Sequence, residues 1–119
     1  MMNCPICQTH KNLKNPIFEN ENWIVREADK NLSGYLYLES KVHLETWLDL
    51  NLSAWENLGR AQFAAAQILS SKGLSKLYMV AIAEQVPHLH LHFVPRYEGQ
   101  KKGLDHLGEA LGSGFFLKE

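Results

Sequence analysis

The segment His88-Leu89-His90-Leu91-His92 leaves little freedom in how its surroundings can fold. Successive side chains of a β-strand point to opposite faces. As a strand, the segment puts His88, His90 and His92 on one face, adjacent rings roughly 7 Å apart. Leu89, Leu91 and Phe93 fall on the other face, where they can enter a core. Imidazole suits acid–base and nucleophilic work near neutral pH. A plain strand with a polar outer face accounts for one such histidine, not for three at strict alternation. A single ion held by all three rings is excluded, since zinc–nitrogen bonds are about 2.0–2.1 Å. A neutral imidazole attacks phosphorus well and also leaves well. The middle residue, His90, is the natural nucleophile, because a flanking histidine on each side can fix its tautomer or meet a phosphate oxygen.

Bulk properties narrow the classes. The chain has 119 residues, 45% of them hydrophobic, enough for one globular domain spanning 1–119. The formal charge is −1, with 12 basic and 13 acidic residues. That balance argues against a nucleic-acid polymer or an anionic membrane as main partner, while a small anionic ligand needs only a few local donors. The opening Met1-Met2-Asn3-Cys4-Pro5 lacks a basic-then-apolar targeting pattern, and the longest apolar run, Leu77 to Ala83, is too short to span a bilayer. A cytoplasmic protein is expected.

Residues 1–15 read as a polar, irregular segment around Cys4-Pro5-Ile6-Cys7. Strands are expected at Asn22 to Glu27 and Gly34 to Glu39, antiparallel because they are short and close. Ser40-Lys41-Val42-His43 leads into a short helical or turn segment ending near Leu50. Ser53-Ala54-Trp55-Glu56 matches a capping box, predicting a helix to about Lys72, before Gly73, with a stripe of Trp55, Leu58, Ala65 and Leu69 interrupted by Gln62. Leu77 to Ala83 has the look of a central strand. Glu84 to Pro87 turns the chain into the histidine strand, which Pro95 ends. Leu104, Leu107 and Leu111 suggest one or two helical turns in the glycine-rich tail, 98–119.

At His88-Leu89-His90-Leu91-His92-Phe93-Val94-Pro95-Arg96 the chain resembles the histidine triad (HIT) superfamily, in its bacterial zinc-containing nucleotide hydrolase branch. Gly34-Tyr35-Leu36-Tyr37-Leu38 followed by Lys41-Val42-His43, and the N-terminal Cys-x-x-Cys, agree in order and spacing. The resemblance covers about residues 4–97. It implies an α+β fold, an antiparallel sheet of about five strands with one long helix packed on it, and commonly a homodimer. It also implies cleavage at the α-phosphate of a nucleotide through a nucleotidyl-histidine on His90, with release of a nucleoside monophosphate. His92 would orient His90 and stabilise the phosphate, with His88 completing the row. Gln85 lies near the polar residue that assists the leaving group in relatives. Many relatives carry a Gly-Gln pair one residue earlier, where this chain has Ala83-Glu84. A glutamate at that rim would repel phosphate, so Glu84 is expected to point away. Arg96 has a claim to a phosphate. Dinucleoside polyphosphates are the favoured substrates. Nucleoside phosphoramidates and a non-catalytic nucleotide-binding module are the alternatives, and a DNA-end repair role would want more positive charge.

Cys4-x-x-Cys7 has the spacing of half a zinc site. No other cysteine exists, so histidines must complete it. The resemblance to zinc-bearing relatives, including the galactose-1-phosphate uridylyltransferase branch, makes His43 and His88 the partners, in a structural site pinning the N-terminal segment. His10 competes. A thioredoxin-like redox pair expects a following helix. No organic cofactor is expected. Trp23, Trp47 and Trp55 read more readily as core than as base-stacking residues, and Lys101-Lys102 as solvated surface. Asp29 and Asn31 lie where relatives place a base- and ribose-binding wall, and His106 has no assignment.

Overall fold

A computed structural model describes residues 4–112; Met1 to Asn3 and the last seven residues of the expected tail lie outside the described residues. Its centre is a five-stranded antiparallel sheet. The strands are β1 (Phe18–Glu19), β2 (Trp23–Glu27), β3 (Leu36–Ser40), β4 (Lys76–Val80) and β5 (His90–Arg96), in the order β1-β2-β3-β5-β4. Helix α1 is Pro5–Lys11, α2 is Leu52–Leu69 and α3 is Gly103–Leu111.

The alternation in β5 divides the molecule as the sequence requires. Leu89, Leu91 and Phe93 join Trp23, Val25, Leu36 and Leu38 in one core, closed by Leu58, Ala61, Ala65 and Leu69 of α2. Fully burying such a side chain contributes roughly 1.5–3 kcal/mol. The opposite face carries Tyr35, Tyr37, Glu39, His90 and His92. Its far end is covered by α3, where Leu111 packs on Tyr35 and Val94.

Several local expectations are corrected. Residues 5–11 are helical, not irregular. Cys4 is the N-cap, its Sγ accepting from the Cys7 N–H at 3.4 Å, and Pro5 stands at a first-turn position that has no use for an N–H. Asn51, not Ser53, caps α2, accepting from the Ala54 N–H at 2.9 Å. The buried stripe therefore begins at Ala54 and runs through Ala61, so Gln62 does not interrupt it and Trp55 is 45% exposed. β4 is an edge strand ending at Val80, not a central one. Its apolar run reflects two partial covers, Leu77 against the α2 core and Tyr78 and Val80 against the α3 cluster. The C-terminal helix is longer than one or two turns. Gly34 feeds β3 at φ +88, with a would-be Cβ only 3.0 Å from the Tyr97 hydroxyl, so the turn accepts no side chain easily. No helix among the described residues is long and apolar enough to cross a membrane.

Candidate active site and metal cluster

His90 and His92 lie on the floor of a cavity of about 220 Å³ on the face away from α2. Three groups of residues wall it. Pro5, Ile6 and Thr9 come from α1; Arg26, Lys30, Tyr37 and Glu39 from β2, β3 and their connection; Ala83, Glu84, Gln85 and Val86 from the β4–β5 connection. A larger, open depression of about 750 Å³ over the outer side of α2, lined by Phe18, Glu56, Gly59, Arg60, Phe63 and Ala64, holds no histidine or cysteine.

The ring of His90 is oriented by backbone. Its Nδ1 lies 2.6 Å from the carbonyl oxygen of His88. A carbonyl only accepts, so Nδ1 carries the proton and Nε2 the lone pair. The flanking rings were expected to set this tautomer; the neighbouring main chain does so instead. His92 packs edge-on against His90, ring centroids 4.9 Å apart, and its Nδ1 meets the Tyr35 hydroxyl at 2.8 Å. Burial, then the adjacent His90 and Lys30, push His92 down to about 4. His92 is therefore neutral at pH 7 and offers a phosphate hydrogen bonding, not charge. Burial, followed by Tyr37, raises Tyr35 well above its ordinary range and keeps its hydroxyl protonated.

The other end of the row is built differently. His88 precedes the strand, fully buried. Its Nε2 donates to the Ser40 carbonyl at 2.8 Å, which turns the Nδ1 lone pair toward Cys4 Sγ at 3.4 Å and Cys7 Sγ at 3.6 Å. His43 repeats the device: Nε2 faces Glu45 at 2.9 Å, and Nδ1 lies 3.5 Å from Cys7 Sγ. The four ligand atoms lie within 4.8 Å of one another. A tetrahedral zinc with S₂N₂ ligands needs ligand separations of about 3.3–3.8 Å; the three sulfur–nitrogen distances above lie in that range, and the widest pair, up to 4.8 Å apart, would have to close by about 1 Å. Burial opposes ionisation of Cys4, but the N–H groups at the start of α1 and its polar neighbours outweigh burial and hold its thiol below the ordinary value. His10 does not compete for this cluster. Its Nε2 meets Glu39 Oε1 at 2.8 Å.

Glu39 is the residue the sequence reading passed over. It is 1% exposed, pairs across the sheet with His90, and takes both Nε and a terminal nitrogen of Arg26 at 2.8 Å. Burial pushes its carboxyl up, but the bonds from His10 and Arg26 win and hold it below the usual carboxylate range. The Arg26 guanidinium also lies 4.8 Å over the Tyr37 ring. The signal was available: in Tyr35-Leu36-Tyr37-Leu38-Glu39 the glutamate shares the parity of the tyrosines, hence the histidine face.

Other expected residues lie elsewhere. Gln85 does line the cavity, and so does Glu84, which was expected to turn away. Arg96, at the far end of β5, is not among the lining residues; a terminal nitrogen donates to the Gln100 carbonyl at 3.3 Å. Its parity matches the histidines, but Val94 and the α3 cover intervene. Asn31 lines a separate depression with Gln100 and Lys101, and Asp29 lines neither. Trp23 is buried, donates to the Ala54 carbonyl and stacks on Trp47, which meets Trp55, all on the α2 side. Lys101 pairs with Glu109 at 2.7 Å, and His106 donates to the Pro95 carbonyl at 2.9 Å, a fold contact.

No family model and no curated protein matches the chain. Solved structures do. A hypothetical protein from Leishmania major superposes with a TM-score of 0.70 at 16% identity, over 91% of this chain and 90% of that one. A HIT family hydrolase from Clostridium thermocellum gives 0.67 at 19% identity, over 87% and 99%. A zinc-bound histidine triad family protein from Mycobacterium smegmatis gives 0.69 at 19% identity, over 87% and 81%. The chain has the HIT-like α+β fold of the histidine triad proteins.

Proposed function

We propose that this protein is a histidine triad hydrolase or transferase that cleaves nucleotides at the α-phosphate through a covalent His90 intermediate. The observation that carries the reading is the Nδ1–H of His90 bonded to the His88 carbonyl, which leaves the Nε2 lone pair on a ring that lines the cavity. That lone pair forms an N–P bond as the bond from phosphorus to the leaving group breaks and its electron pair departs with that group. The Nδ1 proton stays on the ring throughout, so the charge created on it faces a carbonyl dipole. Water then attacks phosphorus, the N–P pair returns to Nε2, and a nucleoside monophosphate leaves as the water proton passes to solvent. Neutral His92 and the side chain of Gln85 supply hydrogen bonds to the phosphate and leaving group.

Cys4, Cys7, His43 and His88 would hold zinc, which when bound supplies a cross-link between α1, the β3–α2 connection and the start of the histidine row. The donor set, the preset tautomers and the distances support that assignment. Metal content by elemental analysis, expected near one zinc per chain, tests it.

Dinucleoside polyphosphates and nucleoside phosphoramidates are the substrate classes, with a small nucleotide as partner rather than a polymer or membrane. A homodimer belongs to the same reading. Exposed Phe63 and Met79, with Gln62 bonded to Met79 across α2 and β4, offer an apolar edge for it. Sedimentation measures that. The decisive experiment offers the protein diadenosine tetraphosphate and adenosine 5′-phosphoramidate, scores AMP release, and maps any quenched adduct by mass spectrometry. An adenylyl group on His90, absent in His90→Ala, is expected. Nucleotide binding without AMP or adduct would favour a non-catalytic module.

A further inference from the structure

The cavity is electrically lopsided across the histidine row. The sheet order places β2 and β3 on one side of β5 and the β4–β5 connection on the other. From the β2–β3 side come Arg26 and Lys30. The Arg26 charge is matched by Glu39, whereas Lys30 has no carboxylate partner among the described residues, its ammonium lying 6.0 Å from the Tyr35 ring. From the other side comes Glu84, exposed and likewise without an ion-pair partner among the described residues. One unmatched cation and one unmatched anion thus face the same cavity from opposite walls, with His90 and His92 between them.

The backbone fixes the acidic wall. Ala83 has φ +58, in the left-handed region that glycine enters freely and alanine rarely, and its side chain is buried. Ala83 thus sets the direction in which the chain leaves the turn, and the Glu84 carboxylate lines the cavity beside the Gln85 amide. An amide donates to phosphate oxygens, whereas a carboxylate only accepts and repels them.

We infer that Glu84 ranks leaving groups by charge, favouring a nucleotide joined to a group that carries an ammonium over one of equal size that carries an added negative charge, while Lys30 holds the anionic phosphate end. This rests on the proposed His90 chemistry. In that step the His90 Nε2–P bond forms, the P–N bond to the amine breaks, and the departing nitrogen takes the pair and a proton from water. Opposite unit charges about 4 Å apart gain roughly 1 kcal/mol even in bulk water, and like charges lose as much. Exchanging an ammonium for a carboxylate on the leaving group therefore changes kcat/KM by about tenfold or more.

The test uses three adenosine 5′-phosphoramidates of matched length, made from an amine bearing a second ammonium, a methyl or a carboxylate. kcat/KM is measured for the wild type, Glu84→Gln and Lys30→Met, at low and at high salt. The wild type is expected to rank ammonium above methyl above carboxylate. In Glu84→Gln the ammonium-to-carboxylate ratio should fall toward one, and salt should compress it in the wild type. Lys30→Met should raise KM for all three while keeping their ranking. A flat wild-type ranking, or a ranking that survives Glu84→Gln, overturns the inference yet leaves the covalent chemistry standing if an adenylyl-His90 is trapped with the methyl compound. No adduct with any of the three overturns both.

Discussion

His88 and His90 sit two residues apart on one chain segment, and each has one ring nitrogen tied to a backbone carbonyl. The nitrogens are opposite ones. His88 spends its Nε2–H on Ser40 and presents Nδ1 to two thiols; His90 spends its Nδ1–H on His88 and keeps Nε2 for the cavity. Identical side chains thus turn different lone pairs outward, Nδ1 toward the thiols and Nε2 toward the cavity, because the main chain, not the imidazole, decides which lone pair remains. The His88 carbonyl also makes the two sites one construction, since the residue whose ring faces the thiols orients the ring that faces the cavity.

The largest effect should come from removing the lone pair on the cavity side. His90→Gln retains a polar group of similar size but no nucleophile, and adduct formation should fall by about 10⁴-fold or more. Bound metal and thermal stability should stay close to wild type. Loss of metal in this variant would break the division of labour between the two rings.

The complementary variant is Cys7→Ser, or wild type stripped with a chelator. Losing one ligand of a four-ligand cluster should release the metal and lower unfolding free energy by roughly 3–5 kcal/mol, since the metal's binding energy is also folding energy. Activity should fall with it, because α1 contributes Pro5, Ile6 and Thr9 to the cavity wall. Denaturant melts with and without added zinc measure the first part; a metal-free protein as stable as the loaded one would contradict the cluster.

Glu39→Gln probes the floor between the two sites. It removes the negative charge that faces Arg26 and His10 and turns one of the two accepting oxygens into a donor, so a loss of about 2–3 kcal/mol is expected, at the lower end because Arg26 is partly exposed. The lowered native pKa of Glu39 stabilises the fold above its unfolded value, about 4.3, and that contribution disappears as pH falls through the native value. Urea titrations should show wild type and Glu39→Gln differing most at neutral pH and converging in acid.

These contrasts also show which parts the sequence could disclose. The sheet face of Leu89, Leu91 and Phe93 and the antiparallel pairing of β2 with β3 were legible from local periodicity and spacing, and the Cys-x-x-Cys spacing called for histidine partners, but it was the family resemblance that singled out His43 and His88 over His10. Three kinds of feature were not. A cysteine cap starting α1 lies outside the usual capping residues. The edge position of β4 depends on which strand β5 chooses as its second neighbour, a long-range choice that an apolar run does not encode. The placement of Glu84 depends on one positive φ at Ala83, where the residue type argued against it.

The smallest expected effect separates His92 from its neighbours by pH alone. In the folded chain His92 titrates near 4, whereas an unfolded histidine titrates near 6.5. Between those values the unfolded chain binds a proton that the folded one refuses, so stability falls as pH drops through that window. From pH 7 to pH 5 this amounts to about 2 kcal/mol. His92→Gln should lose that part of the slope while retaining the acid dependence contributed by Glu39, which lies lower. If instead the two proteins lose stability in parallel from pH 7 to pH 5, His92 takes up its proton as readily in the folded chain as in the unfolded one. The row would then gain a cation beside His90 as pH falls through about 6.5, and a phosphate held there in mild acid would meet charge as well as hydrogen bonds.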